Sequence, residues 1–319
     1  MTLTRAEALF NMRAVDVAAN HMQPASSRGQ PNSVQTVQSS HRLDILYAWL
    51  TGADPTSALA DAHDAKPDYA LLSGHVMDLG CGQGDQTGAL AALVSAHRDH
   101  LKSHILGVDP APADYGAPYT LQQAQDELLR SAVGQHLSFA LGKTGPQVLE
   151  DQTFDTVILA HSLWYFPSAH VLHDTFAAIK KAGVKHLLLA EWAMSASHPD
   201  ALPHLLAALL QGQSPVEGGN VQTPISPEQL KSVATEAGWK VVRELTFLPS
   251  DRLQDGKWEV DMATDAADAA AKFDVESNRT AQKLQQSVQA TRYALEEAAK
   301  RIGKRTRSMD VWTAVLVPA

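Results

Sequence analysis

Apolar and polar positions follow one rhythm at the start of the chain, a second through its middle, and a third towards its end. Residues 5–18 and 41–51 place apolar residues at helical spacing, which predicts two helices. Between them, "HMQPASSRGQPNSVQTVQSS" is rich in Pro, Gly, Ser and Gln and reads as a segment that is flexible or that orders when something binds. Residues 52–70 are polar and Ala/Asp-rich, as expected of a loop with short helical pieces. From residue 75 the pattern changes to short apolar runs separated by helical stretches, which predicts a parallel sheet. The strands are "HVMDL" (75–79), "HILGVD" (104–109), "LSFALG" (137–142), "FDTVILAHS" (154–162) and "VKHLLLAEW" (184–192). Helices are predicted near 85–97, 120–133 and 168–182.

After residue 192 the alternation breaks. "HPDALPHLLAALLQG" reads as helix and "QSPVEGGNVQTPISP" as loop. "SPEQLKSVATEAG" opens a helix with Ser226 as N-cap and Pro227 at the first helical position. "WKVVRELTFL" (239–248) is strand-like, a long helix is predicted near 277–302, and "MDVWTAVLVP" (309–318) closes as a strand.

Composition narrows the class. A chain of 319 residues suffices for one large α/β domain with inserts or two smaller ones. With 45% apolar and 19% charged residues, a soluble globular protein with a sizeable core is expected. Its 26 basic against 35 acidic residues argue against a nucleic-acid surface, which normally leaves a basic footprint. No apolar run has the length of a membrane span, and "MTLTRAEALFNMRAVDV" lacks the apolar centre of a signal peptide. Cys81 is the single cysteine, which excludes an intrachain disulfide and a multi-cysteine zinc site and suggests a reducing, cytoplasmic setting. His170 and His173 share a helix face without a third partner and His204 stands alone, so no metal is assigned. The basic run "KRIGKRTR" (300–307) suits the C-terminal end of a helix.

The chemistry starts at "HVMDLGCGQGDQTGALAALV" (75–94), where an apolar strand ends in an acid, a glycine turn and a helix. The dinucleotide fingerprint needs G-x-G-x-x-G, but Gly80, Gly82 and Gly84 give G-x-G-x-G, and counted from Gly82 the last position falls on Thr87. The order acid–Leu–Gly–Cys–Gly–x–Gly–x–x–Thr instead resembles motif I of the class I S-adenosylmethionine-dependent methyltransferases. The resemblance covers roughly residues 70–192 and the strands near 239–248 and 309–318. It implies a Rossmann-like α/β fold: a seven-stranded mixed sheet with helices on both faces, a reversed last strand, an N-terminal helical lid over 1–70, and a methyltransferase domain over 71–319 with inserts at about 193–227 and 249–305.

The same resemblance implies S-adenosylmethionine as the cofactor. Gly80, Cys81, Gly82, Gly84 and Thr87 would form its seat, with Asp78 holding the donor's ammonium directly or through water. Asp109, followed by Pro110 at the end of the second strand, can accept from both ribose hydroxyls. The acid that the family often carries after the third strand is missing, which leaves the backbone of Lys143 or Thr144, and Gln147, as candidates near the adenine. Arg42 can pair with the donor's carboxylate as part of the lid.

The loop after the fourth strand, "HSLWYFP" (161–167), should face the methyl group. It lacks the Asp/Asn-Pro-Pro-aromatic motif of the nucleic-acid amine methylases. It offers His161 and Ser162 beside the donor, with His161 either removing a proton from the acceptor or only shaping the pocket. Trp164, Tyr165 and Trp192 are candidate aromatic walls, Glu191 could neutralise a cationic acceptor, and Trp258 is a candidate from the late insert. The function implied is methyl transfer to an O or N atom of a small molecule, such as a secondary metabolite, by a monomer or homodimer that binds neither nucleic acid nor membrane. The alternatives are a donor-binding regulator acting through partners, a protein methyltransferase and, more distantly, an NAD-dependent oxidoreductase.

Overall fold

The computed structural model describes residues 3–57, 66–213, 221–270 and 279–319. The N-terminal part holds α1 (Arg5–Phe10), α2 (Ala14–Ala18) and α3 (Val34–Thr51). The middle of the chain follows as β1 (Gly74–Leu79), α4 (Asp85–Ala96), β2 (Ser103–Asp109), α5 (Leu121–Arg130), β3 (Leu137–Leu141), α6 (Gly145–Asp151), β4 (Thr156–Ala160), α7 (Ala169–Lys181) and β5 (His186–Trp192). The remainder is α8 (Leu202–Gln213), α9 (Pro227–Glu236), β6 (Trp239–Phe247), α10 (Asp255–Ala270), α11 (Arg279–Ile302) and β7 (Val311–Pro318).

The seven strands form one sheet in the order β3-β2-β1-β4-β5-β7-β6. β1 to β5 run parallel, and β7 runs antiparallel to both its neighbours. The seven-stranded mixed α/β sheet and its reversed last strand are as expected. The strand order reverses between β1 and β4, and in an open α/β sheet that switch point, at the carboxyl ends of the strands, is where ligands bind. Continuous apolar runs explain these strands: Val157, Ile158, Leu159, Leu187, Leu188 and Leu189 are fully buried because helices cover both faces.

The N-terminal part departs from the pattern-based reading in two places. One helix over 5–18 becomes two, since Asn11 takes a left-handed conformation (φ 49°) that caps α1. The Pro/Gly-rich stretch is not irregular throughout: α3 begins at Val34, with the Ser33 side chain accepting from Thr36 N. Thr36, Gln38 and Ser39, read as part of a flexible stretch, are buried on α3 beside the predicted helical residues His41, Arg42 and Asp44, which is why polarity misleads there. The Thr144–Gln147 capping box with its proline starts α6, a helix the apolar pattern did not indicate. Inside the late insert, α10 is a helix where the sequence pattern assigned no element, and α8, α10 and α11 share a small apolar cluster of Ala207, Leu210, Ala263, Val288 and Leu295. Parts of the expected loops at 52–70 and 213–227, and the start of the helix near 277, lie outside the described residues. The basic run closes α11 as expected, with Lys300 and Arg301 in its last turn and Arg305 3.4 Å from Asp200. Among the described residues no helix is long and apolar enough to cross a membrane.

Candidate active site

The turn after β1 is built by its glycines. Gly80 has φ 75°, and a Cβ there would lie 2.5 Å from Ser162 Cβ, so the two strand ends can meet only without a side chain. Gly82 has φ 53°, yet a Cβ there would meet no protein atom within 4 Å, because this glycine faces a cavity. The cavity, about 150 Å³, is lined by Arg42, Asp78, Gly80, Cys81, Gly82, Gln83, Asp85, Gln86, Ala160, His161 and Tyr165. It therefore gathers the turn, the end of β4 and one residue of α3.

Each acid has a defined partner. The buried Asp78 accepts from Thr87 Oγ1 at 2.6 Å, and burial pushes its carboxyl up to about 6. Asp109 accepts from Gly82 N at 2.8 Å and Ala111 N at 2.9 Å, tying the end of β2 to the turn while each oxygen keeps a lone pair. Cys81 is buried with its thiol pushed well up by desolvation, the opposite of a reactive thiolate. Pro110, Lys143 and Thr144 are exposed at the rim, and Thr144 and Gln147 spend their side chains on capping α6. Ser162 Oγ donates to Leu79 O at 2.9 Å, locking the loop after β4 onto β1.

Arg42 is buried, lines the cavity, and has Nε and Nη1 without a hydrogen-bond partner among the described residues. Buried guanidinium donors are costly to leave unpaired, so this group is prepared for an anion. Beside it Gln86 is buried with both amide atoms unpartnered. Gln86 carried no signal in the sequence beyond its place in the first turn of α4.

Beyond the cavity lies a polar chain that no local motif announces. His161 takes a left-handed backbone (φ 54°), a conformation that costs a non-glycine residue about 1–3 kcal/mol and that aims its ring across the strand end. Its Nδ1 lies 3.3 Å from Glu191 Oε1, and its Nε2 lies 2.9 Å from His41 Nε2. Glu191 also accepts from the backbone N–H groups of Leu163, Trp164 and Trp192 at 2.9, 3.3 and 2.9 Å, and burial still pushes it up to about 7. Trp192 stacks parallel to His41 with centroids 6.0 Å apart and meets His204 edge-on at 4.9 Å. His204 accepts from Met309 N at 3.0 Å, and burial lowers its imidazole to about 3.

Several candidates fall elsewhere than expected. Trp164 is not a pocket wall: it is buried in the main core, with Nε1 donating to Ile225 O. Glu191 is buried and held by backbone donors, so it is not available to touch an acceptor directly. Trp258 lies on α10 and is 39% exposed, on no described contact with the cavity. Tyr165 does line the cavity while remaining 47% exposed, and desolvation of its ring on the cavity side and then the carboxylates Glu259, Glu191 and Asp255 raise its phenol. Asp255 and Glu259 stand one turn apart on α10, both raised by desolvation, with Gln38 Nε2 donating to Asp255 at 2.6 Å and Gln211 Nε2 to Glu259 at 2.6 Å. His170 and His173 do share a face, and Asp174 joins them, all three within 4.8 Å at the surface.

Residues 53–244 match a family described as a methyltransferase domain. The methyltransferases phomM' and phomM of Diaporthe leptostromiformis are each 30% identical to the chain, over 86% of it and 82% of theirs. A crystal structure of a cyclopropane-fatty-acyl-phospholipid synthase-like protein from Lactobacillus casei is similar with a TM-score of 0.69 and 25% identity, covering 98% of this chain and 99% of that one. Motif, strand order and these relatives agree, and the chain belongs to the class I S-adenosylmethionine-dependent methyltransferases.

Proposed function

We propose that the protein methylates a basic nitrogen of a small molecule. The observation that carries this reading is the division of charge across the site. Arg42, with two donors unpartnered among the described residues, lines the cavity with the glycine turn, while the carboxylates Glu259, Glu191 and Asp255 act on Tyr165, and Asp255 and Glu191 also feel the Arg42 charge.

On the donor side the residues fit S-adenosylmethionine. Arg42 offers two free donors to a carboxylate, Asp78 offers an anion to an ammonium, and Asp109 keeps lone pairs for ribose hydroxyls. The bare backbone of Gly82 permits close approach. When bound, the donor supplies an electrophilic methyl group beside a sulfonium. The protein's part is to align it and keep water out. α3 supplies Arg42 and packs against α4, which supports the expectation that residues 1–70 form a cover over the donor.

On the acceptor side this reading places the amine near Asp255, Glu259 and the Gln38 amide, a cluster outside the cavity lining whose carboxylates act on the phenol of Tyr165, which does line it. Gln38 Oε1 is buried without a donor, and a ligand ammonium would supply that hydrogen bond. Carboxylates raised by desolvation are stabilised by a cation, which favours an amine over a neutral hydroxyl. The phomM relatives are named only as methyltransferases, so the choice of nitrogen rests on this chain's own residues.

The test is calorimetry with S-adenosylhomocysteine, followed by methyl-labelled donor offered to panels of matched amines and alcohols. Binding with label on amines is expected. Label on alcohols or on protein alone would overturn the acceptor reading, and absent binding would overturn the donor site.

A further inference from the structure

His161 looks like the base, because it lines the cavity and stands where the methyl group is expected. Both of its ring nitrogens, however, already face protein groups: Nδ1 faces Glu191 Oε1 at 3.3 Å and Nε2 faces His41 Nε2 at 2.9 Å. The free nitrogen belongs to the next imidazole along. His41 Nδ1 is buried and has no hydrogen-bond partner among the described residues.

The geometry assigns every proton in the chain once Glu191 is ionised. Three backbone N–H groups donate to Glu191, so it accepts. His161 Nδ1 must then carry the proton, which leaves His161 Nε2 bare. A bare Nε2 2.9 Å from another Nε2 requires that His41 Nε2 carry the next proton. His41 Nδ1 is left with a lone pair. Its neighbours on α3 flank the site: Gln38, one turn earlier, bonds Asp255, and the next residue, Arg42, lines the donor cavity.

We propose that His41 Nδ1 takes the proton from the acceptor's nitrogen and that His161 passes the charge to Glu191, making His41 the base and His161 the conductor. The proposal rests on the amine-methylating reading above. In the step, the ammonium N–H bond breaks and its electron pair stays on nitrogen. One N–H forms at His41 Nδ1, the Nε2 proton of His41 moves to His161 Nε2, and the Nδ1 proton of His161 moves to Glu191 Oε1. One proton enters at His41 and one arrives at Glu191, and both imidazoles end neutral with their tautomers reversed. Two features suit this traffic. Burial, and then the charges of His161 and Arg42, disfavours a charged His41, and burial with Arg42 does the same at His161, so charge does not rest on either ring. Glu191, in contrast, is raised enough to hold a proton near neutral pH. Around His41 the other facing groups are Trp192 and Phe247, both uncharged, with His204 beyond Trp192 held neutral by its burial.

Two measurements test this on the full chain. The first is long-range ¹H–¹⁵N spectroscopy of histidine-labelled protein at pH 8. Protonated Nδ1 and bare Nε2 are expected at His161, with protonated Nε2 and bare Nδ1 at His41. The reverse tautomer at His41 would overturn the proposal, and this arm needs no acceptor. The second is transfer of labelled methyl to a panel of primary amines by His41→Phe, which keeps a ring on Trp192 but no nitrogen. A loss of 100-fold or more in kcat at pH 7 is expected, with affinity for S-adenosylhomocysteine within threefold of wild type. The loss should shrink as pH approaches the amine's own pKa, where the amine arrives already deprotonated. An equal deficit at pH 7 and pH 10 would show a structural role and overturn the assignment. A wild-type protein that methylates alcohols but no amine would sink the amine reading, and the tautomers would still decide the relay.

Discussion

The two halves of the site are built on different length scales. The proposed donor half is mostly local: Asp78, Gly80, Cys81, Gly82, Gln83, Asp85 and Gln86 lie within nine consecutive residues, while Arg42, Asp109 and the end of β4 come from farther away. The acceptor half is assembled at long range: His41 meets His161 across 120 residues, and Gln38 meets Asp255 across 217. A turn that must bring backbone close to a ligand can be encoded by spacing alone. Side chains drawn from α3, β5 and α10, the proposed acceptor side, meet only in the folded chain, so no local pattern can encode them.

The sharpest way to break this contrast is at the glycines. Gly80→Ala forces a Cβ onto Ser162 at a positive φ, so a stability loss of about 3 kcal/mol is expected, seen as a midpoint lower by roughly 5–10 °C. Gly82→Ala meets no protein atom and should melt within a few degrees of wild type, while affinity for S-adenosylhomocysteine falls at least about tenfold because the methyl occupies ligand space. If both variants simply unfold, the cavity-facing role of Gly82 is wrong.

Arg42→Ala should weaken S-adenosylhomocysteine binding by roughly 10- to 100-fold in calorimetry, the loss of a charge-assisted contact. Asp255→Asn is the complementary change. It should raise KM for an amine by roughly tenfold and change donor affinity by much less, although its charge acts on Arg42; a donor defect as large as the amine defect would dissolve the division between the halves.

A smaller effect follows from Asp78, whose carboxyl is pushed up to about 6 by burial. Only its ionised form attracts the donor's ammonium, so the free protein must lose a proton to bind. Donor affinity should rise with pH through about 6, by roughly tenfold between pH 5 and 7, and Asp78→Asn should bind weakly with that slope removed. Raised above its ordinary value, Asp78 also favours the folded state below pH 3.8, a contribution lost as pH rises through about 6.

The sequence made the sheet and the turn readable because both depend on nearest neighbours: apolar runs of strand length, glycines two apart, an acid at the end of each of the first two strands. It hid the first turns of α3, since buried Thr36, Gln38 and Ser39 look like a solvated, flexible stretch until their partners are known. His161 and Arg42 could be singled out from position and charge. His41, Gln38, Asp255 and Glu259 could not, because nothing near them in the chain reports the pairing. Glu191 drew notice at a strand end, yet its burial and three backbone donors are facts of packing. Trp164 drew notice as an aromatic in a promising loop and turned out to pack inward.

The division of the site is tested most directly by the atom that receives the methyl group. Protein supplied with methyl-deuterated donor and a metabolite extract should yield a product whose added mass lies on a nitrogen, and Asp255→Asn should depress that product while binding S-adenosylhomocysteine normally. Label on oxygen or carbon, or an undiminished product from Asp255→Asn, would contradict it.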